Sequence, residues 1–312
     1  MRIVFMGTPS FAVSVLSALV DAGHDLAGVY SQPDRPTGRG RRTSPTPVKV
    51  YAQAHGLEVS QPASLRRDAA ARGHVAGLGL EVIVVAAYGL YLPAEVVEAP
   101  RLGCLNVHPS LLPEYRGPSP VASAILNGDD ETGVTVMKIT EQMDSGPVVA
   151  RKKTPIGPEE TAGALTDRLF RMGAGLMVEV LPKWEVGDLQ ARPQDDSLAT
   201  TTRLLSREDG EIDWTEPAAR VARQVRAYDP WPGTFSRWDG RRLKVLGASA
   251  IDAEGTGEPA GTVVPLPGGS FGVVTGDGVL ELRRMQLEGR RQVGAKDFAQ
   301  GQSGFVGTKL GR

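Results

Sequence analysis

The run Glu81-Val82-Ile83-Val84-Val85-Ala86-Ala87 constrains this chain more than any other segment, because after its first residue it is uniformly apolar and rich in β-branched side chains. A half-exposed strand alternates apolar and polar residues. A short run without that alternation reads as a strand buried on both faces, the environment of a parallel sheet covered by helices. Three more short apolar segments, at 3–6, 26–30 and 104–107, alternate with stretches at helical spacing such as 11–20 and 48–54. This order predicts an α/β fold: a Rossmann-like, mostly parallel sheet flanked by helices, with 81–87 as a central strand.

The second half follows another pattern. Residues 159–186 read as one long helix, and 187–206 are polar and aperiodic, with Pro193, Asp195, Asp196 and the run Thr200-Thr201-Thr202. Further on, short strand-like segments at 242–246, 261–264, 271–274 and 279–282 are separated by Gly and Pro, which predicts a small, OB-like β-barrel. The expected organisation is a catalytic domain over 1–188, a linker over 189–206 and a C-terminal barrel over 207–312. A chain of 312 residues exceeds the usual size of one core, in keeping with two units.

Composition excludes more than it proposes. The net charge of −1 leaves no overall field to attract a polyanion, so any such partner must be held by a local basic cluster. The single cysteine, Cys104, allows no internal disulfide and fits a reducing compartment, so a cytoplasmic location is expected. A strand that begins at residue 2 leaves no room for a signal peptide, and no apolar run approaches the length of a membrane span. Four scattered histidines and one cysteine give no zinc-type spacing, so no metal is expected. A monomer is expected.

The chemistry concentrates in two places. Asn106-Val107-His108-Pro109-Ser110-Leu111-Leu112-Pro113 follows a strand, so period-2 alternation puts Asn106 and His108 on one side, near the strand's carboxyl end, where open α/β sheets bind ligands. An amide that can hydrogen-bond a developing oxyanion, beside an imidazole that can move a proton, suits acyl transfer. A strand-end Asn and His can equally cap a turn, but Pro109, Pro113, Gly117, Pro118 and Pro120 stiffen the following loops and favour a pre-shaped pocket. His24 and His55 stand beside glycines at helix C-termini, and His74 lies in a polar, Arg-rich stretch. Asp144, in the turn before Ser145-Gly146-Pro147, either makes a local hydrogen bond or reaches the imidazole and orients it. Spacing alone leaves both open.

The second place is 33–43, with Arg35, Arg39, Arg41 and Arg42 against one acid and no apolar anchor. Such a segment projects as a mobile loop. It is either solvated or holds a phosphate backbone at the edge of the pocket. Arg220, Arg223, Arg226, Arg241, Arg242 and Lys244 would add a weaker basic surface in the C-terminal part.

Asn106, His108, Ser110-Leu111-Leu112-Pro113, Tyr115-Arg116-Gly117 and Asp144-Ser145-Gly146 together resemble the motif of the folate-dependent formyltransferases. The resemblance extends over the whole chain, through Gly7-Thr8-Pro9-Ser10-Phe11, Gln32-Pro33-Asp34-Arg35-Pro36, Ile212-Asp213-Trp214 and Pro230-Trp231-Pro232-Gly233. It implies that Asn106, His108 and Asp144 are catalytic and that Ser110, Leu111, Leu112 and Pro113 contact 10-formyltetrahydrofolate, the co-substrate. It is nearest to family members whose acceptor is methionyl initiator tRNA. In those, the inserted loop contacts the acceptor arm, a role that falls here on Arg35, Arg39, Arg41 and Arg42. Two departures are visible: Pro109 stands where many tRNA-formylating members carry Gly, and Ser10 where many carry Asp. Two rivals remain, a same-fold formyltransferase acting on an amino sugar or glycinamide ribonucleotide, and a non-catalytic RNA-binding protein. A dinucleotide-dependent oxidoreductase is excluded, since Gly7-Thr8-Pro9-Ser10 lacks the second and third glycines of the fingerprint.

Overall fold

The apolar run at 81–87 supplies a strand with every residue buried, flanked on both sides within a seven-stranded sheet in the computed structural model, which describes residues 1–37, 42–251, 257–302 and 304–311. The first elements are β1 (Arg2–Gly7), α1 (Val13–Asp21), β2 (Asp25–Tyr30), a hairpin of β3 (Arg35–Thr37) and β4 (Arg42–Ser44), α2 (Pro47–Ala54), β5 (Val59–Ser60), α3 (Ala69–Gly77), β6 (Val82–Ala86), α4 (Ala94–Val97) and β7 (Cys104–His108). There follow α5 (Pro120–Asn127), β8 (Glu131–Lys138), β9 (Val148–Pro155) and the 24-residue α6 (Ala162–Glu185). The sheet order is β5-β2-β1-β6-β7-β8-β9, parallel from β5 to β7, with β8 and β9 added antiparallel.

Strand alternation divides the core between the two faces. Ile3, Phe5, Val82, Val84, Leu105 and Val107 pack on one face against α1, α2 and α6, through side chains such as Leu16, Val48, Phe170 and Met177. Val4, Met6, Ile83, Val85 and Cys104 pack on the other, against Val75 of α3 and Val96 of α4. Each such side chain contributes about 1.5 to 3 kcal/mol by leaving water. Two helices start on side-chain caps: Thr46 caps α2 by accepting from the Lys49 N–H, with Pro47 at the first helical position, and Asp68 caps α3 by accepting from the Ala71 N–H.

Two compact units emerge from the contacts. One comprises Met1–Pro120, Glu131–Pro155 and Thr166–Thr202; the other comprises Val121–Asp130, Ile156–Leu165 and Arg203–Arg312. The second contains α7 (Ala218–Ala227), β10 (Thr234–Trp238), β11 (Arg241–Ile251), β12 (Val263–Leu266), β13 (Ser270–Val274), β14 (Val279–Leu287), β15 (Val293–Gly294) and α8 (Ala295–Gly301). Its antiparallel sheet runs β10-β11-β14-β13-β12, with β15 on β14. The strand β11 is more than twice as long as the segment legible in the sequence, and its register with β14 shifts around Gly247, a bulge that bends a long strand. Val221 and Val225 of α7 close the core with Ile212, Trp214 and Leu243, and the Trp214 indole donates to the buried Ser236 hydroxyl at 2.9 Å. Among the described residues, no helix is long and apolar enough to cross a membrane.

Candidate active site

Cys104, Asn106 and His108 alternate onto one side of β7, the side that faces α3 and α4. The helix on the opposite side comes unusually close. A Cβ on Gly173 of α6 would lie 2.5 Å from Val107 Cγ1 and 3.0 Å from Val134 Cγ2, so glycine there sets the depth at which β7 sits. Asn106 is half-buried, beside Val85 and Met137, and its amide makes no hydrogen bond to another described residue.

His108 is 4% exposed, and both ring nitrogens have defined surroundings. Nε2 lies 3.0 Å from the Tyr115 carbonyl oxygen, which can only accept, so Nε2 carries the proton and donates it there. Nδ1 is turned toward Asp144 Oδ1 at 3.7 Å, too long for a direct hydrogen bond but close for an electrostatic contact. The other carboxylate oxygen, Oδ2, accepts the Gly117 N–H at 2.8 Å. Asp144 thus faces the imidazole, one of the two outcomes that spacing left open, while the orienting hydrogen bond comes from a backbone carbonyl.

Backbone strain gathers here. Four non-glycine residues among those described have positive φ; Ala87 directly follows β6, and two others, Tyr115 in the loop after β7 and Asp144 in the loop after the antiparallel β8, face the His108 ring. The loop that supplies the Tyr115 carbonyl is held at several points. The Ser110 hydroxyl donates to the Glu114 carbonyl at 2.6 Å, while the Thr135 hydroxyl, fully buried on β8, donates to the Ser110 carbonyl at 2.7 Å and accepts the Leu112 N–H at 3.2 Å. Leu112 packs on Met137 and Val148, Ser110 and Pro113 are buried, and Leu111 lies over Gly133. These four side chains therefore point into the protein more than into open space.

Sequence reasoning missed the other support. Residues 192–202, which lack periodicity, return along the loop: Tyr115 N–H donates to Thr200 Oγ1 at 2.8 Å, Arg116 N–H to the Thr200 carbonyl at 2.9 Å, and Thr202 N–H to the Arg116 carbonyl at 2.7 Å. The signal was present only as the Thr200-Thr201-Thr202 run, since hydroxyl residues in an aperiodic stretch are well suited to bonding a loop.

A cavity of 820 Å³ opens on the same unit, lined by residues that include Leu92, Val97, Cys104, Ile139, Thr140 and Glu141. None of Asn106, His108 and Asp144 lines it, yet Cys104 shares its side of β7 with Asn106 and His108, and Glu141 belongs to the turn that carries Asp144. Burial pushes the Cys104 thiol up to about 12, which leaves it protonated near neutral pH.

The basic segment is anchored at its base. Asp34 accepts from Gln61 Nε2 at 2.7 Å and pairs with Lys49 at 2.6 Å; the Gln61 amide first, then Lys49, holds its carboxyl below the usual range. Arg35 is exposed and donates to Gln32 Oε1 at 2.8 Å. Instead of a free loop, 35–37 and 42–44 pair as β3 and β4, while Arg39, Arg41 and the Arg42 side chain lie outside the described residues. In the second unit, Arg223 and Arg226 donate to the carbonyls of Leu126 and Glu160, and Arg226 is half-buried, which takes it out of a solvent-facing basic surface.

A Rossmann-like unit that brings an amide, an imidazole and a carboxylate toward the end of one strand offers the hydrogen bonds and proton handling that group-transfer enzymes use. Comparison with known proteins narrows that class. Residues 1–181 match the family described as formyl transferase, and 204–303 match its C-terminal domain. A protein from Chloroflexus aurantiacus named methionyl-tRNA formyltransferase is 50% identical over 302 residues, which are 96% of this chain and 97% of that one. Another of the same name, from Roseiflexus sp. (strain RS-1), is 48% identical over 312 residues, 100% of this chain and 95% of the relative. Among solved structures, the N-formyltransferase from Helicobacter canadensis, in complex with folinic acid and dTDP-3-aminofucose, superimposes with a TM-score of 0.68 at 15% identity, over 94% of this chain and 100% of its own. HypX from Aquifex aeolicus in complex with tetrahydrofolic acid gives 0.65 at 18% identity, over 99% of this chain and 48% of its own. At such identities the two structures speak for the fold alone. The chain belongs to the formyl transferase family and is an enzyme of that family.

Proposed function

We propose that this enzyme transfers the formyl group of 10-formyltetrahydrofolate to the free α-amine of methionine esterified to initiator tRNA, for translation initiation in the cytoplasm. The observation that carries the chemistry is the placement of His108: Nε2 is tied to the Tyr115 carbonyl, so Nδ1, facing Asp144, is the nitrogen left for the reacting group. The acceptor rests on the names of relatives that match essentially the full length of the chain.

The amine lone pair attacks the formyl carbon, and the carbonyl pair moves onto oxygen. The Asn106 amide and a proton on His108 Nδ1 hydrogen-bond that oxyanion, and the Asp144 carboxylate stabilises the positive ring. Collapse breaks the bond from the formyl carbon to N10 of the folate; the amine loses a proton and N10 gains one. The folate enters beside the trio from the 820 Å³ cavity, where Leu92, Val97 and Ile139 on the same side of β7 suit a flat ring; Ser110, Leu111, Leu112 and Pro113 lie outside that lining and serve by bracing the loop that carries the Tyr115 carbonyl. In this reading residues 1–188 bind folate and catalyse, with 192–202 of the expected linker bonded along their 115–117 loop rather than serving as a spacer, and 207–312 assist tRNA binding. Arg35, Arg39, Arg41 and Arg42 hold phosphates of the acceptor arm, and the enzyme acts as a monomer.

The test is a comparison of acceptors. With 10-formyltetrahydrofolate labelled in the formyl carbon, label should move to methionyl initiator tRNA far faster than to elongator tRNA, amino sugars or glycinamide ribonucleotide. Preferential labelling of a small amine would assign the enzyme to another branch of the family.

A further inference from the structure

The Asp144 carboxylate is useful only if its main chain is held in a conformation that an L-residue rarely adopts, with φ +49°. Nothing in the local turn fixes the Asp144 carbonyl; the Ser145 hydroxyl, for instance, donates back to Gln142. The fixing group comes from 50 residues away. Gln194 Nε2 donates to the Asp144 carbonyl at 2.8 Å and to the Gly146 carbonyl at 2.7 Å. The other end of the same amide, Oε1, accepts from Arg116 Nε at 3.0 Å. Arg116 is only 7% exposed, also pairs with Asp196 at 2.7 Å, and immediately precedes Gly117, whose N–H holds Asp144 Oδ2. The connections form a closed ring, from the Asp144 carbonyl through Gln194, Arg116 and Gly117 back to the Asp144 side chain.

We propose that Gln194 is a positioning residue for formyl transfer, and that its side-chain N–H groups, steadied by Arg116, hold the Asp144 turn so that the carboxylate faces His108 Nδ1. This rests on the reading that Asp144 acts at the reacting centre. Gln194 touches no reacting atom; its effect passes through Asp144. The chemistry requires a side chain that donates at one end and accepts at the other, which a primary amide does and a carboxylate does not.

Gln194→Glu separates this role from simple packing. It keeps the length and can still accept from Arg116, but at neutral pH it has no hydrogen to donate to the two carbonyls. The expected result is a fall in kcat on the order of 10- to 100-fold at pH 7.5, the scale of a small misplacement in an active site, with KM for the folate within about threefold of wild type. As pH falls toward about 5.5, a growing fraction of the glutamate is protonated and its O–H restores one donated bond, so the ratio of variant to wild-type kcat rises. Gln194→Ala should lose kcat without that recovery. Asp144→Ala, assayed alongside, keeps the two readings apart. If Asp144→Ala turns over like wild type, the assignment of Asp144 fails. If Asp144→Ala is inactive while Gln194→Glu stays within about twofold of wild type, or is impaired with a ratio that does not change with pH, the positioning role of Gln194 is overturned.

Discussion

At the scale of single residues, the site depends on polar groups that are buried and fully committed. Thr135 is the clearest case, because one hydroxyl satisfies both the Ser110 carbonyl and the Leu112 N–H in a fully buried position opposite His108 on the neighbouring strand. Thr135→Val keeps the shape and gains a methyl group, worth about 0.8 kcal/mol at most, but leaves two buried backbone groups unpaired at about 1 to 3 kcal/mol each. The loss wins. Denaturant unfolding should show a destabilisation of about 1 to 5 kcal/mol, with turnover lowered further than stability alone explains because the loop that carries the Tyr115 carbonyl loses one of its anchors. An unfolding midpoint equal to wild type would show that water replaces the hydroxyl at no cost.

At the scale of elements, the close approach of α6 to β7 allows a paired prediction. Alanine at a helix-interior glycine gains about 1 kcal/mol from propensity. For Gly175 a new Cβ meets nothing within 4 Å, so Gly175→Ala should stabilise by up to about 1 kcal/mol. For Gly173 the same Cβ would stand 2.5 Å from Val107, a stiff β-branched side chain, and overpacking of about 1 to 3 kcal/mol outweighs the gain. Gly173→Ala should therefore lower the unfolding midpoint while Gly175→Ala raises it. Equal effects would mean that the helix does not set the depth of β7. Elements of this kind were legible where a single period governs the segment: β6 was plain from five consecutive buried residues, and α2, β7 and α6 lay within a few residues of their expected bounds. What stayed hidden was settled by distant partners. Strand β10 is short and has only two apolar residues, and the apolar side of α7 is built mostly from alanines interleaved with Arg220, Arg223 and Arg226, so both gave weak local signals. Residues 192–202 looked like spacer because their bonds run to a loop some 80 residues earlier. Asn106 and His108 could be paired as candidates from alternation and the stiff loop after them, whereas the contact of Asp144 with the imidazole was one of two outcomes that spacing left open; Gln194 and Thr135 carry no such mark.

At the scale of the whole molecule, a net charge of −1 means that an RNA acceptor must be held by local clusters, and counterion release then makes its affinity depend on salt. Replacing Arg39, Arg41 and Arg42 with Ala should weaken binding of methionyl initiator tRNA and flatten the slope of log affinity against log salt by about 2 to 3, leaving folate binding intact. An unchanged slope would remove the basic hairpin from the interface. The central claim, that formyl transfer passes through the imidazole held between Tyr115 and Asp144, is tested most directly by single-turnover transfer from bound 10-formyltetrahydrofolate to methionyl initiator tRNA in His108→Ala, with folate affinity measured on the same sample. The predicted result is a transfer rate lower by two or more orders of magnitude, on the order of 100-fold or beyond, with folate still bound; a rate within about threefold of wild type would contradict the account.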